Sequence, residues 1–200
     1  MALIHMTPDN YIVSQWSGGT TTQVAIAPEG AVYADRDFLW RISSASVDLD
    51  ESDFTALPDY HRWISTLQGG MTLSHEGGEK IVLAPYEVHQ FDGGVDTHSW
   101  GRCTDFNLML RKGKCQGVVR SIKLSAGESA VITFESAPSE QFPNADLMLF
   151  CGEGKACAAL DGESVELAAL HAALVKNAVG VSVTVTAQEP SRFMIAEVQV

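Results

Sequence analysis

The sequence has few basic residues and no long apolar run. Its 200 residues include 13 Lys or Arg against 25 Asp or Glu, so the formal net charge is −12. A polyanion repels phosphate groups, and we therefore expect binding neither to nucleic acid nor to an anionic membrane surface. No stretch approaches the ~20 apolar residues that a membrane-spanning helix requires, and the N-terminus lacks the basic region typical of a signal peptide. These absences predict a cytoplasmic protein.

Metal-binding and nucleotide-binding motifs are also missing. The four cysteines show no C-x-x-C spacing and are predicted to be reduced thiols. None of the six histidines forms an H-x-H, H-x-x-x-H or H-x-x-E-H pattern, so we predict neither a metal site nor a cofactor. The glycine patterns of nucleotide-binding loops and the G-x-S-x-G motif do not occur. A Ser-His-Asp triad stays open, because geometry alone identifies it.

What the sequence does contain is short runs of alternating apolar and polar residues, separated by Gly, Asp, Asn and Pro. This alternation is typical of β-strands, and many short strands at regular spacing predict an all-β sandwich or barrel. Only residues 165–175, rich in Ala and Leu, also fit a helix, although Asp161-Gly162 before them fits a hairpin turn. The candidate strands cover residues 22–27, 39–47, 62–67, 71–75, 80–83, 103–110, 117–123, 129–134, 146–151, 156–160, 164–167, 172–175, 182–186 and 193–198.

A weak internal repeat accompanies this pattern. The segments LQGGMTLSHEGGEKIVLAPYEVHQF and LFCGEGKACAALDGESVELAALHAALV both contain glycines, a short strand, a glycine-containing turn and a second strand. Gly77 corresponds to Gly162 and Leu83 to Leu167, about half a chain apart. One small barrel needs roughly eight strands, so two copies account for the chain. The sequence thus predicts two fused barrels, the first over residues 1–115 and the second over residues 116–200.

The N-terminal segment WSGGTTTQ is the first candidate for ligand contact. Two adjacent glycines allow the backbone to approach a ligand closely, and the neighbouring hydroxyl groups add hydrogen-bond donors. A tight turn that leads into a strand explains the same residues. The ligand-binding residues predicted in this segment are Trp16, Gly18, Gly19 and Thr20.

Two strand-like segments, WRISSASV and CTDFNLML, carry polar residues on one face. In the first, an arginine among small polar groups suits a ligand that bears a carboxylate. In the second, an acid, an amide and a thioether point together, which is typical of a polar pocket. A His-Arg pair before a third strand is a further candidate, although outward-facing polar surfaces explain all three patterns too. The pocket residues predicted from these segments are Arg41, Ser43, His61, Arg62, Asp105, Asn107 and Met109.

With these residues in view, the chain resembles the HutD/Ves family, also described as histidine-utilisation-associated proteins. Four blocks within residues 16–109 match the family pattern in the same order, and the second half resembles the family only in length and strand-rich style. The first block departs from the family's W-x-N-G-G-G-x-T-x-E at Ser17, Thr20 and Gln23. The blocks are WSGGT with Gln23; WRIS with Ala45 and Val47; Phe54, Pro58, Arg62 and LQG; and FDG with Gly101, DFN and Met109.

The resemblance implies a bicupin, two fused cupin-like β-barrels, with a polar pocket in the first barrel and without the usual metal-binding histidines. Family members are often encoded with enzymes of histidine breakdown. Their proposed role is regulatory, through sensing a small acidic intermediate such as formylglutamate or urocanate, and no catalytic activity is established for the family. The departures in the first block leave the ligand open.

Three functions are compatible with the sequence. We favour metal-independent binding of a small polar or anionic metabolite, with Arg41 and Arg62 as cations and Asp105 and Asn107 as orienting groups. The second is a lyase, isomerase or hydrolase with His61 or Asp105 as general base, which a strongly perturbed carboxylate or His beside the pocket would indicate. The third is a structural or interaction protein with an exposed apolar patch. The sequence does not decide the ligand, whether the chain forms a homo-oligomer, or whether the second barrel has a pocket.

Overall fold

Extended chain dominates the computed structural model, which describes residues 2–136 and 140–200. The all-β prediction is confirmed, and residues 165–175 form strands rather than a helix. Within the described residues there are nineteen strands, two short 3-10 turns, and no helix long and apolar enough to cross a membrane. The strands are β1 (Ile4–Met6), β2 (Ile12–Trp16), β3 (Gly19–Ala27), β4 (Trp40–Val47), β5 (Glu51–Asp53), β6 (Tyr60–Gly69), β7 (Met71–His75), β8 (Ile81–Leu83), β9 (His89–Asp92), β10 (Thr97–Trp100), β11 (Cys103–Arg111), β12 (Gln116–Leu124), β13 (Ser129–Thr133), β14 (Ala145–Glu153), β15 (Lys155–Leu160), β16 (Glu163–Ala168), β17 (Ala172–Lys176), β18 (Ser182–Ala187) and β19 (Ser191–Gln199).

The strands group into two units. The N-unit comprises Tyr11–Lys114, and the C-unit comprises Cys115–Val200 together with residues 2–10. The sequence-based division instead places the first ten residues in the first barrel. In the structure β1 pairs antiparallel with β17, so that Ile4 lies opposite Leu174. This pairing joins residues that are far apart in sequence, and no local pattern in the chain indicates it.

Both units have the same strand topology. The N-unit sheets have the orders β2-β3-β4-β11-β6-β9 and β5-β10-β7-β8, and the C-unit sheets have the orders β1-β17-β14-β19-β12 and β13-β18-β15-β16. Each of the strands β4 to β11 of the N-unit has its equivalent eight strands later in the C-unit: the order β4-β11-β6-β9 becomes β12-β19-β14-β17, which is the C-unit order read from its other end. The larger sheet of the N-unit has β2 and β3 as additional strands, and that of the C-unit has β1. Gly77 and Gly162, which the repeat aligns, lie in the turns of equivalent hairpins.

Each unit has a β-bulge at the equivalent place, and these bulges show which residues of the central strands correspond. In the N-unit the register between β11 and β6 shifts between Thr104 and Asp105, and in the C-unit the register between β14 and β19 shifts between Cys151 and Glu153. Asp105 lies opposite Thr66 directly after this shift, as Phe193 lies opposite Cys151. Alignment on the bulge therefore makes Asp105 equivalent to Phe193, and Asn107 equivalent to Ile195.

The two units differ in what their sheets enclose. In the C-unit an apolar cluster drawn from both sheets includes Leu147, Leu149, Phe193 and Ile195, and all four are buried. In the N-unit smaller apolar clusters leave part of the equivalent sheet face to buried polar and charged side chains. The same topology therefore surrounds a largely apolar core in one unit, with Glu197 as its buried carboxylate, and a partly polar interior in the other.

The start of β3 requires glycine. Gly19 has a φ of +149°, and a Cβ atom added there would collide with the backbone carbonyl oxygen of Ser46 in β4. Because β3 and β4 are hydrogen-bonded neighbours, this collision could be relieved only by moving one strand. Gly19 thus serves the pairing of β3 with β4.

We predict that Gly19→Ala lowers the free energy of unfolding of the N-unit by about 2–4 kcal/mol, through strain and collision together. Gly30→Ala is the matched control, because Gly30 also has positive φ, +84°, but open space around its Cβ position; the expected loss there is about 1 kcal/mol. All four tryptophans lie in the N-unit, so urea unfolding followed by tryptophan fluorescence reports on that unit. Equal losses in the two variants would contradict the steric explanation.

Candidate functional site

The N-unit contains a cavity of about 250 Å³, which we call the N-unit cavity. One face of the larger sheet forms much of its wall through β2, β3, β4, β6 and β11, and β5 with the two residues after it contributes another part. Ligand cavities in proteins are commonly somewhat larger, about 300–1,000 Å³. A cavity of this size suits a small metabolite.

Strand register brings the charged residues into this cavity. Met109 of β11 lies opposite Arg41 of β4 on one side and opposite Arg62 of β6 on the other. Directly opposed residues point to the same face of a sheet, and every second residue of a strand does so too. Asn107 and Asp105 therefore share the face of Met109, and all five residues line the cavity.

Arg41 is held in a fixed orientation. Its Nε donates a hydrogen bond to Gln23 Oε1 at 2.8 Å, and its Nη1 donates to Ser43 Oγ at 3.0 Å. The guanidinium carbon lies 4.2 Å from the centre of the Tyr33 ring, within range of a cation–π interaction. Only 4% of Arg41 is exposed, and this burial lowers its pKa. Protein contacts thus preorganise Arg41.

Arg62 is equally buried but poorly paired. Its guanidinium lies 4.8 Å from the ring centre of Phe54 and 5.2 Å from that of Phe91. Its one hydrogen bond among the described residues is long, 3.5 Å to the carbonyl oxygen of Thr55, and its Nε is buried without a partner. Burial lowers the pKa of Arg62 to about 10, so the side chain stays charged at neutral pH. Arg62 therefore retains unused hydrogen-bonding capacity.

Asp105 is the buried carboxylate of the cavity, with 6% of its surface exposed. Its Oδ1 accepts a hydrogen bond from the backbone N–H of Ala45 at 2.7 Å, while its backbone carbonyl accepts one from Ser44 Oγ at 2.6 Å. Within the described part of the chain, Oδ2 has no hydrogen-bond partner and no salt bridge joins Asp105 to either arginine. Burial raises the pKa of Asp105 to about 6, although the Ala45 N–H and the two arginines act in the opposite direction.

The cavity concentrates positive charge in a strongly acidic chain. Arg41 and Arg62 contribute two buried cations, and Asp105 supplies the one buried carboxylate of the lining. Asp53 also lines the cavity, but its side chain is 84% exposed and contacts His98. Arg36 lies outside the lining, with its guanidinium 3.8 Å from the centre of the Tyr33 ring. Arg36 contributes to the lowered pKa of both Arg41 and Arg62, and Arg41 also contributes to that of Arg62. The Oδ1 atom of buried Asn107 is also without a hydrogen-bond partner among the residues described. The arrangement therefore favours a small anion that accepts several hydrogen bonds.

The structure places most of the sequence-predicted site residues in this cavity. Four of them do not line it: Gly18 and Gly19 serve local packing, and Thr20 and His61 point to the opposite faces of their strands. Register explains the last two, because Thr21 rather than Thr20 lies opposite Ala45, and His61 precedes Arg62 by one residue. Ligand binding by any of these residues stays a prediction. Those that do line the cavity are Trp16, Arg41, Ser43, Arg62, Asp105, Asn107 and Met109.

Other lining residues escaped the sequence reasoning. Tyr33 comes from a short 3-10 turn between β3 and β4, and Phe54 and Thr55 follow β5. Alternation within a strand carries no information about such segments. Thr21 could have been found from its strand partner, because Ala45 continues the face of Arg41 and Ser43.

His89 and His98 of the N-unit have different partners. His89 Nε2 lies 2.9 Å from His75 Nε2, and the Nδ1 of His75 lies 2.9 Å from Thr97 Oγ1. His98 instead contacts Asp53, with Nδ1 2.7 Å from Oδ1. Among residues 2–136 and 140–200, no three His, Cys, Asp or Glu side chains cluster so that they could hold a metal ion.

Comparison with solved structures identifies the fold. A conserved protein of unknown function from Pseudomonas aeruginosa superposes with a TM-score of 0.82 at 23% identity, and HutD from Pseudomonas fluorescens with 0.75 at 21% identity; each alignment covers 100% of both chains. A cupin 2 conserved barrel domain protein from Leptotrichia buccalis gives a TM-score of 0.55 at 12% identity, covering 100% of this chain and 98% of that one. The fold is therefore all-β with cupin-like structural neighbours.

Sequence comparison identifies the family. Protein Ves from Cronobacter sakazakii is 31% identical over 115 residues, which cover 54% of this chain and 60% of that relative. The match thus spans about three-fifths of the curated relative's length. The family model HutD matches residues 9–194, nearly the whole chain. The chain therefore belongs to the HutD family.

Proposed function

We propose that this protein binds a small anionic metabolite in the N-unit cavity without a metal ion. The observation that carries this proposal is the burial of two arginines beside a single buried carboxylate, with Arg62 left almost without hydrogen-bond acceptors. A buried cation without a partner is costly, and a bound carboxylate would offset that cost through charge-assisted hydrogen bonds. Arg41 and Arg62 bind the anion, and Asp105 and Asn107 orient it.

The comparisons support the proposal at the level of the family. One solved structure of HutD from Pseudomonas fluorescens is described with the words "formate condition", and formate is the smallest carboxylate. Family resemblance suggests a regulatory role in histidine or amino-acid catabolism, which we extend to this chain as part of the proposal. We propose likewise that each unit is a cupin-type barrel and that the chain is a bicupin, because both units share one topology.

One observation favours an enzyme as the second candidate. Asp105 combines a pKa of about 6 with an unpartnered Oδ2 beside the cavity, as a general base requires. His61, the alternative base, is exposed on the opposite face of β6 and does not line the cavity. Chemical conversion of a bound acid, followed by NMR and lost in Asp105→Asn, would promote this candidate over binding alone.

Calorimetric titration with formate and propionate at pH 7.5 tests the binding proposal. We expect both anions to bind the unaltered protein, and Arg62→Met to weaken binding at least tenfold, about the value of one charge-assisted hydrogen bond. Arg102→Met is the control, because the Arg102 side chain is 66% exposed, pairs with Asp50 and lies outside the cavity. Binding that is unchanged in Arg62→Met, or absent in the unaltered protein, would overturn the proposal.

The two arginines are predicted to affect the stability of the unliganded protein in opposite directions. Arg62→Met raises the free energy of unfolding by about 1–2 kcal/mol, because an apolar side chain replaces a poorly paired buried cation. Arg41→Met lowers it by about 1–3 kcal/mol, because Gln23 and Ser43 lose their hydrogen-bond donor. Urea unfolding followed by tryptophan fluorescence measures both. A loss of stability in Arg62→Met equal to that in Arg41→Met would contradict the difference in pairing.

We also predict that affinity for formate rises as the pH falls from 7.5 to 5.5. The pKa of Asp105 in the folded protein is about 6, so this carboxylate is ionised at the upper pH and mostly neutral at the lower one. Protonation removes a negative charge from the cavity while both arginines stay charged, and the anion is therefore bound more tightly. We expect a gain of about three- to tenfold, on the order of 1 kcal/mol at the effective dielectric constant of a protein site.

The matched variant for the pH series is Asp105→Asn, which has no titrating group at this position. Its affinity for formate should exceed that of the unaltered protein at pH 7.5 and change little down to pH 5.5. Titration calorimetry at four pH values provides the comparison. An equally steep pH dependence in Asp105→Asn would assign the effect to another group.

A further inference from the structure

We propose that the N-unit cavity selects anions that carry a hydrogen-bond donor, as hydroxy acids do, over acids of the same size that present only acceptors. This inference rests on the proposed anion binding and names the class of ligand. Its structural basis is the free carboxylate oxygen Oδ2 of Asp105, which lines a cavity whose cations come from Arg41 and Arg62.

The orientation of Asp105 is fixed by the protein. Its Oδ1 accepts the backbone N–H of Ala45 at 2.7 Å, and the Ser44 hydroxyl donates to its backbone carbonyl at 2.6 Å. With one carboxylate oxygen held against β4, the other is left towards the cavity. No donor from the described residues reaches Oδ2, and the side chain is more than nine-tenths buried. An acceptor that has no protein partner and faces a cavity can be satisfied by a donor on a ligand.

The fold itself does not need a carboxylate at this place. Asp105 aligns with Phe193 on the bulge that both units share, and Phe193 packs into the apolar core of the C-unit. The equivalent strand therefore forms and pairs with an aromatic side chain there. Burial of a carboxylate costs free energy, and the hydrogen bond from Ala45 uses only one of its oxygens. The second oxygen is thus available for recognition.

The arginines and Asp105 are placed to bind different parts of the ligand. Arg41 and Arg62 both lie opposite Met109. Asp105 stands four residues before Met109 on β11, so the backbone positions of these two residues are roughly 13 Å apart. The long arginine side chains shorten the distance between the charged groups. No salt bridge joins Asp105 to either arginine in the part of the chain that the structure describes. The cations and the carboxylate therefore contact different parts of a bound molecule.

Ionised Asp105 accepts hydrogen bonds and cannot donate them. Its pKa of about 6 keeps it ionised at pH 7.5. A hydroxyl group facing Oδ2 forms a charge-assisted hydrogen bond, whereas a carbonyl oxygen facing Oδ2 meets a second acceptor and is repelled. Sites built to bond a hydroxyl reject analogues that lack it, and we expect a preference of at least about tenfold for the hydroxy acid.

Isosteric pairs of acids test this selection directly. Titrations of the full-length protein at pH 7.5 compare lactate with pyruvate, and 3-hydroxybutyrate with acetoacetate, so that the donor lies at two different distances from the carboxylate. We expect the hydroxy acid to bind more tightly in at least one pair. If both acids of each pair bind with equal affinity, or the oxo acid binds more tightly, donor selection is wrong while anion binding stands. If no acid binds, anion binding itself fails.

Asp105→Asn is expected to shift the preference from the hydroxy acid towards the oxo acid. The amide oxygen can still accept the Ala45 N–H, which leaves the NH2 group as a donor facing the cavity. We expect the ratio of the two dissociation constants to move towards the oxo acid by at least about tenfold. Loss of negative charge alone would tighten both acids of a pair alike and leave their ratio unchanged, and that result would overturn the assignment.

Asp50→Asn provides the matched control for charge. Its side chain is 85% exposed and pairs with Arg102, so the same change in net charge occurs outside the cavity lining. We expect the ratio of affinities within each pair to stay as in the unaltered protein. A shift in Asp50→Asn as large as that in Asp105→Asn would show that the selection does not arise at Asp105.

Discussion

Burial of charge between the sheets of the N-unit is the constraint on which the site depends. Arg41, Arg62 and Asp105 lie on adjoining strands of one sheet, and each exposes at most 6% of its surface. Removing such groups from water costs several kcal/mol per ion unless partners replace the water. Arg41 has those partners and Arg62 largely lacks them. The unit must therefore draw its stability from the apolar clusters around the cavity, which include Met71 and Leu73.

The C-unit shows what the same topology does with fewer buried charges. Among its described residues it buries one carboxylate, Glu197, and that group is paired with Arg120 and accepts hydrogen bonds from the backbone N–H groups of Glu135 and Ser136. The strands of the C-unit follow the same order, and at the positions of Asp105 and Asn107 it carries Phe193 and Ile195, which are buried with apolar neighbours. The polar face of the N-unit is thus not a requirement of the strand arrangement. At these two positions the strand arrangement is satisfied by apolar side chains, which supports the proposal that Asp105 and Asn107 are kept in the N-unit for ligand binding.

Alternation within strands predicted which residues line the cavity better than it predicted where strands begin and how the chain divides into two units. The faces of β4 and β11 follow directly from period two, so that Arg41 and Asp105 could be placed in a pocket from sequence. Thr20 was predicted from its hydroxyl group beside the two glycines, not from alternation. The pairing of β3 with β4, which only the three-dimensional structure reveals, places Thr21 rather than Thr20 on the cavity face. The pairing of β1 with β17 joins distant parts of the chain and leaves no periodic pattern in the sequence. The same holds for Tyr33, which reaches the cavity from the segment between β3 and β4.

The acidity of the chain and the positive charge of its cavity act over different distances. Most of the net charge of −12 is carried by exposed carboxylates, and at physiological ionic strength such charges are screened beyond about 8 Å. Inside the cavity screening is weak, so Arg41 and Arg62 dominate the potential that a bound anion experiences. The surface charge lowers the rate at which anions arrive, most strongly for highly charged ones such as polyphosphates. Under the proposed function, the acidic surface therefore discriminates against polyanions before any contact with the arginines of the cavity is made.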